Sequence, residues 1–208
     1  MNNTTFSIAR KNNSSFIMLG MLLLVGAMLV ASSPCHSAAQ TRAPGEVELL
    51  GVPLANATRE QLRSALRKQN IGVVREKDNY WYDLYKAETL LDEADQLSIG
   101  YVAATGNFAE VMYRLPSTVD TAQVQRAISL ISLKYGSPQS TNGSVSLGGM
   151  KATWQRGPMQ IIVERGWPDT TTFIYLRHKA NHAALRAEID RQDVQDKRKA
   201  AEKQNRAF

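Results

Sequence analysis

Three groups of side chains in this sequence carry charge or reactivity at regular spacing. Arg59, Arg63 and Arg67 recur every four residues. On a helix that spacing lines three guanidinium groups along one face, a receiver for carboxylates or phosphates. His178 and His182 also stand four apart, in His-Lys-Ala-Asn-His. Neighbours on a helix face, they are the candidate ligands for a metal ion. No Glu follows the first His as a zinc protease requires, and no third ligand is evident, so no metal or other cofactor is expected. The third group is aromatic. Tyr80-Trp81-Tyr82-Asp83-Leu84-Tyr85 has the composition of a strand, whose alternation sends Trp81, Asp83 and Tyr85 one way and Tyr80, Tyr82 and Leu84 the other. One set fills the core. Trp81 and Tyr85, with Trp167 in the turn Gly166-Trp167-Pro168-Asp169, are candidate anchors for a partner.

Other chemistries lack their residues. The single cysteine, Cys35, lies near the N-terminus, which leaves the body without a thiol nucleophile, thiolate metal site or disulfide. There is no Gly-x-Ser-x-Gly, and Gly148-Gly149 has neither the spacing nor the lysine of a phosphate loop. The acids Glu88, Asp92, Glu93 and Asp95 form a run rather than a spaced pair across a cleft. The expectation is a protein without catalytic residues. A small metal-dependent or hydrolytic enzyme is the alternative.

Residues 1–39 read as a secretory signal peptide. Arg10 and Lys11 precede sixteen uncharged residues, Phe16 to Ala31, and Ser37 and Ala39 supply the small side chains of a cleavage site. Spanning a bilayer takes about 20 apolar residues, so an uncleaved anchor, giving an inner-membrane-tethered structural protein, is the rival reading. Ser32-Ser33-Pro34 before Cys35 does not make a lipobox. The expected location is the periplasm or the exterior.

The net charge of +6 sits mostly at the ends. The leader holds two basic residues, and residues 179–208 carry eight Lys/Arg against five Asp/Glu. The remaining body is close to neutral, which argues against a nucleic-acid platform. The expected partner is an envelope protein or an anionic envelope component, held by a sheet face and the arginine row. A membrane is a partner only if the leader stays.

These side chains need elements to hold them. Val47–Leu54 reads as a strand. Thr58 and Gln61 form a capping-box pair that opens a helix over Leu62, Ala65 and Leu66, with Asn70 as its left-handed stop. Strands follow at Ile71–Val74, Tyr80–Tyr85, Leu97–Ala103 and Phe108–Leu115. Asp120 is the expected cap of a second helix through Tyr135, ended by Gly136 and Pro138. Gln139–Gly149 reads as a mobile loop, and Lys151–Gln155, Met159–Arg165 and Thr170–Arg177 as strands. Residues 179–208 read as a charged helical tail that docks by its first turns and frays beyond Gln195. The fold class is therefore α+β: a compact body over 40–178 of two capped helices on antiparallel strands. Its halves, 47–116 and 117–178, share a helix-then-strands order.

The run Leu133-Lys134-Tyr135-Gly136-Ser137-Pro138, then Ala152-Thr153-Trp154, Ile161-Ile162-Val163 and Thr172-Phe173-Ile174-Tyr175, resembles small exported bacterial proteins of unassigned activity. In these a helix ending in Tyr-Gly-x-Pro feeds a Trp-bearing antiparallel sheet. The resemblance covers about 45 residues and implies a periplasmic α+β module without catalytic residues. In helix-then-strand order the chain is also similar to small lipoproteins of the outer-membrane assembly machinery. Neither likeness supplies a function.

Overall fold

The computed structural model describes residues 45–117, 120–144, 149–166 and 170–205. The expected signal peptide, Cys35 and Trp167 lie outside these residues. The architecture is α+β, as the sequence predicts. A two-stranded hairpin, β1 (Glu48–Leu49) and β2 (Val52–Pro53), leads into a 3-10 turn and then helix α1 (Arg59–Lys68). Four strands follow: β3 (Val73–Arg75), β4 (Tyr82–Lys86), β5 (Gln96–Tyr101) and β6 (Phe108–Leu115). Helix α2 (Gln123–Tyr135) then precedes β7 (Ser140–Ser144), β8 (Gly149–Arg156), β9 (Met159–Arg165) and β10 (Thr172–His178). Helix α3 (Lys179–Asn205) ends the chain's described part. No helix among these residues is long and apolar enough to cross a membrane.

The eight strands β3 to β10 form one antiparallel sheet in the order β3-β4-β5-β6-β10-β9-β8-β7. Each half contributes a helix and a four-strand meander. The last strands of the two meanders pair at the centre, from Thr172 opposite Leu115 to Arg177 opposite Glu110. One sheet face carries the main core. Leu62 and Leu66 of α1, and Val124, Ala127 and Tyr135 of α2, join Leu97, Ile99, Val111, Trp154, Ile161 and Ile174 in a single cluster. The other face carries a smaller cluster of Trp81, Val102, Ala109 and Leu185, the last from α3.

Local signals explain the boundaries. Thr58 accepts from the Gln61 amide while the Gln61 side chain accepts from the Thr58 amide, so the expected capping box is present. Asn70 ends the helix at φ +54. The Tyr-Gly-Ser-Pro segment closes α2 with Gly136 at φ +72. There the Trp154 indole donates to the Gly136 carbonyl at 2.7 Å, and Arg156 donates to the Tyr135 carbonyl. The tryptophan thus ties the helix end to the sheet.

Four expectations need correction. Val47–Leu54 is a hairpin rather than one strand, turning at Leu50 and Gly51, both with positive φ. Two positive φ values make the tight primed turn that suits a two-residue loop. The Asp120 side chain accepts from the Ala122 amide, but α2 begins at Gln123 behind Ala122, which makes no side-chain cap bond. Part of the expected loop is strand β7, paired with β8 from Ser140 opposite Thr153 to Ser144 opposite Gly149. An edge strand needs one hydrogen-bonded neighbour and no apolar face, so Ser-Thr-Asn-Gly-Ser suffices. Finally, α3 stays helical to Asn205, well past Gln195. Good helix formers and the i,i+4 pairs Gln192–Asp196 and Arg198–Glu202 carry it.

Candidate functional site

Two arginines of the α1 row, Arg59 and Arg63, face inward, while Arg67 stays exposed. Arg63 is only 8% exposed, and its Nε and Nη2 donate to the two carboxylate oxygens of Asp83 at 2.8 and 2.9 Å. Its Nη1 reaches Asp78 at 2.8 Å. Arg59 donates to the carbonyl of Tyr80 at 2.8 Å and lies over the Tyr101 ring, 4.5 Å from its centroid. Arg67 pairs with Glu76 at 2.6 Å, and Glu76 also accepts from the Tyr85 hydroxyl. The two charge concentrations of the sequence do not meet. The arginines are matched by Glu76, Asp78 and Asp83, which precede β4 or lie on it, while Glu93 and Asp95 pair with Arg126 and Arg114.

The electrostatics follow from this ladder. The Asp83 hydrogen bond raises the Arg63 guanidinium further, against the opposing effect of burial. Burial alone would raise the Glu76 carboxyl, but hydrogen bonds from Arg67 and Tyr85 hold it below its ordinary value. Burial and the bond to Glu76 push the Tyr85 phenol well up. Arg59 and Arg63 are thus spent within the fold, and the exposed Arg67 is paired with Glu76.

The aromatic expectation is corrected likewise. Along β4 itself the alternation is as predicted, with Asp83 and Tyr85 buried, but Trp81 precedes the strand and packs with Tyr82 and Leu185 on the other face, not with Tyr85. Trp81 and Tyr85 are core residues, not surface anchors. The histidines divide between roles. His178 Nδ1 accepts from the Asn181 amide at the start of α3. His182 lies 3.3 Å from Glu110, whose carboxylate also accepts from Tyr82 at 2.6 Å and Arg177 at 2.7 Å. Among the described residues no three His, Cys, Asp or Glu side chains gather as metal ligands.

Among the described residues, part of the second face of the sheet, away from α3, is left uncovered. Helix α3 seats Leu185 over β5 and β6, where Gly100 leaves room: a Cβ there would stand 2.9 Å from Leu185 and 2.6 Å from the Tyr82 ring. The Glu188 carboxylate accepts the amides of Ala103 and Ala104. Beyond this dock, register puts Leu84, Ser98, Met112, Tyr175, Ile162 and Thr153 in one row across six strands. Phe173 stacks on Tyr175 with centroids 5.9 Å apart, and Arg177 covers Tyr175 from the other side. Both rings are half-buried. Paired charges border them: Arg114 with Asp95, and Lys151 with Glu164 at 2.8 Å. The readable signal was the alternation in Thr-Phe-Ile-Tyr-Leu-Arg, which sends Phe173 and Tyr175 opposite to Ile174 and Leu176.

No family model matches the chain, and no curated protein matches it. A solved structure to which it is similar is that of a DUF4309 family protein (YjgB) from Bacillus subtilis subsp. subtilis str. 168. The likeness has 14% sequence identity and a TM-score of 0.39, and it covers 65% of this chain and 88% of that one. At that distance the chain is assigned to no family.

Proposed function

We propose that this is an exported, non-enzymatic binding protein of the bacterial cell envelope, which holds a partner protein on the open face of its sheet. The observation that carries the reading is the band of partly exposed Met112, Phe173 and Tyr175 bordered by the pairs Arg114–Asp95 and Lys151–Glu164. An apolar, aromatic-bearing centre inside a charged rim is the anatomy of a protein–protein interface. Export is supported by the leader sequence alone. The turning-in of Arg59 and Arg63, and the pairing of Arg67 with Glu76, favour a protein over an anionic envelope component. The nearest approach to an acid–base pair, His182 with Glu110, is engaged in seating α3, which supports a non-enzymatic role.

A photocrosslinking residue in place of Tyr175 tests the binding face in intact cells. It should trap a discrete envelope protein that a probe at Val73 does not. Phe173→Ser should abolish the adduct while the unfolding transition stays cooperative. No adduct, or the same adducts from both positions, would overturn the reading, and recovery of the intact precursor from the cytosol would overturn export.

A further inference from the structure

Two further surface features are left uncovered by the described residues. The first is a groove of about 340 Å³ between α2 and the segment that follows β4. Leu90, Leu91, Leu115, Ala127 and Ile174 line it, with Leu130 at its edge. Leu130 is 46% exposed, and Leu133, nearly one turn further along the same helix face, is 87% exposed. Asp92 stands on the rim, and Glu88 lies one turn's length before it in the chain. Glu93 is matched by Arg126 and Asp95 by Arg114, but Glu88 and Asp92 have no cationic partner among the described residues. The groove is largely apolar, and its rim carries the unpaired Asp92 beside the Glu93–Arg126 pair.

The second feature is the distal part of α3. Every residue from Asp193 to Asn205 is exposed, about 20 Å of helix with no other described residue packed beneath it. It presents Val194, 67% exposed, and after Asp193 and Asp196 the cations Lys197, Arg198, Lys199 and Lys203, of which Arg198 is paired with Glu202.

We propose that the distal half of α3 lies in this groove of a second copy of this chain. Val194 and the adjoining alanines Ala200 and Ala201 meet Leu130 and Leu133, and the lysines reach Glu88 and Asp92. Both members of the complementary pair belong to one chain, so a two-fold exchange of arms covers two grooves and supports two helices at once. The contact lies away from the open sheet face and is independent of what binds there.

Sedimentation of the protein as purified from cells, over a range of concentrations and salt, tests this. The wild type should be a dimer that weakens as salt rises, because rim charges are screened. Lys197→Glu/Arg198→Glu/Lys199→Glu in the arm should weaken it at least about ten-fold, as should Glu88→Lys/Asp92→Lys at the groove. Mixing the two variants restores opposite charges at both contacts and should restore the dimer, which also shows that each variant is folded. A wild type that stays monomeric, reversed variants that still dimerise, or a mixture that stays monomeric would overturn the proposal.

Discussion

Removing one partner of the Arg63–Asp83 pair strands the other in the interior. Asp83 is fully buried and accepts both of its short hydrogen bonds from Arg63. Breaking such a pair costs about 3–5 kcal/mol, whereas replacing both charges with apolar groups of similar size is near neutral. Arg63→Met and Asp83→Leu should each lower stability by that amount in denaturant unfolding, and the double variant should recover most of it. Additive losses would show that the pair does not act as a unit. The residues of this ladder were legible as types and spacing, but not as a buried site. Arg63 and Arg67 are matched by carboxylates nine to twenty positions away, on a segment that only folding brings alongside. A local helix pattern cannot see that match, so the row read as open.

At the level of elements, α3 is the one whose seat depends on pH. His182 faces Glu110 on β6, Arg177 on β10 and Arg186 on its own helix, and Tyr82 on β4 shares Glu110. Burial, then the nearby arginines, hold the imidazole below its ordinary 6.5 against the pull of Glu110. The unfolded chain therefore takes up a proton before the docked helix does. Stability is full above the unfolded value and is lost as pH falls below it toward the folded one. Hydrogen-exchange protection at the start of α3 should drop between about pH 7 and 5, and His182→Gln should flatten that drop. A profile identical in both proteins would refute the assignment. Sequence legibility also varied by element. The α1 cap and the Tyr-Gly-Ser-Pro stop lie within a few residues and were readable. Strand β7 was not, because a polar edge strand is defined by its neighbour and not by its own composition.

Across the whole molecule, the two halves are alike in order but not independent. The central pairing of β6 with β10 spans about sixty residues of chain, and one continuous core takes residues from α1, α2 and both meanders. A fragment of residues 46–117 would expose the pairing edge of β6 and half of that core. It should show no cooperative unfolding transition by circular dichroism, while the full chain does. A cooperative fragment would establish the halves as separate domains. Long-range antiparallel pairing of this kind also makes folding slow relative to helical proteins of the same size.

The sequence by itself determined the α+β class, the helix starts and stops, and the inward and outward sets along β4 and β10, because these depend on residues within a few positions of one another. Tertiary structure alone decided which face of each strand is covered. It turned Arg59 and Arg63 inward, buried Trp81 and Tyr85, and left Phe173 and Tyr175 partly exposed. The reason is that a strand pattern specifies two faces but not what packs on them. That choice falls to helices and strands far away in the chain, whose placement is fixed only when the whole core closes.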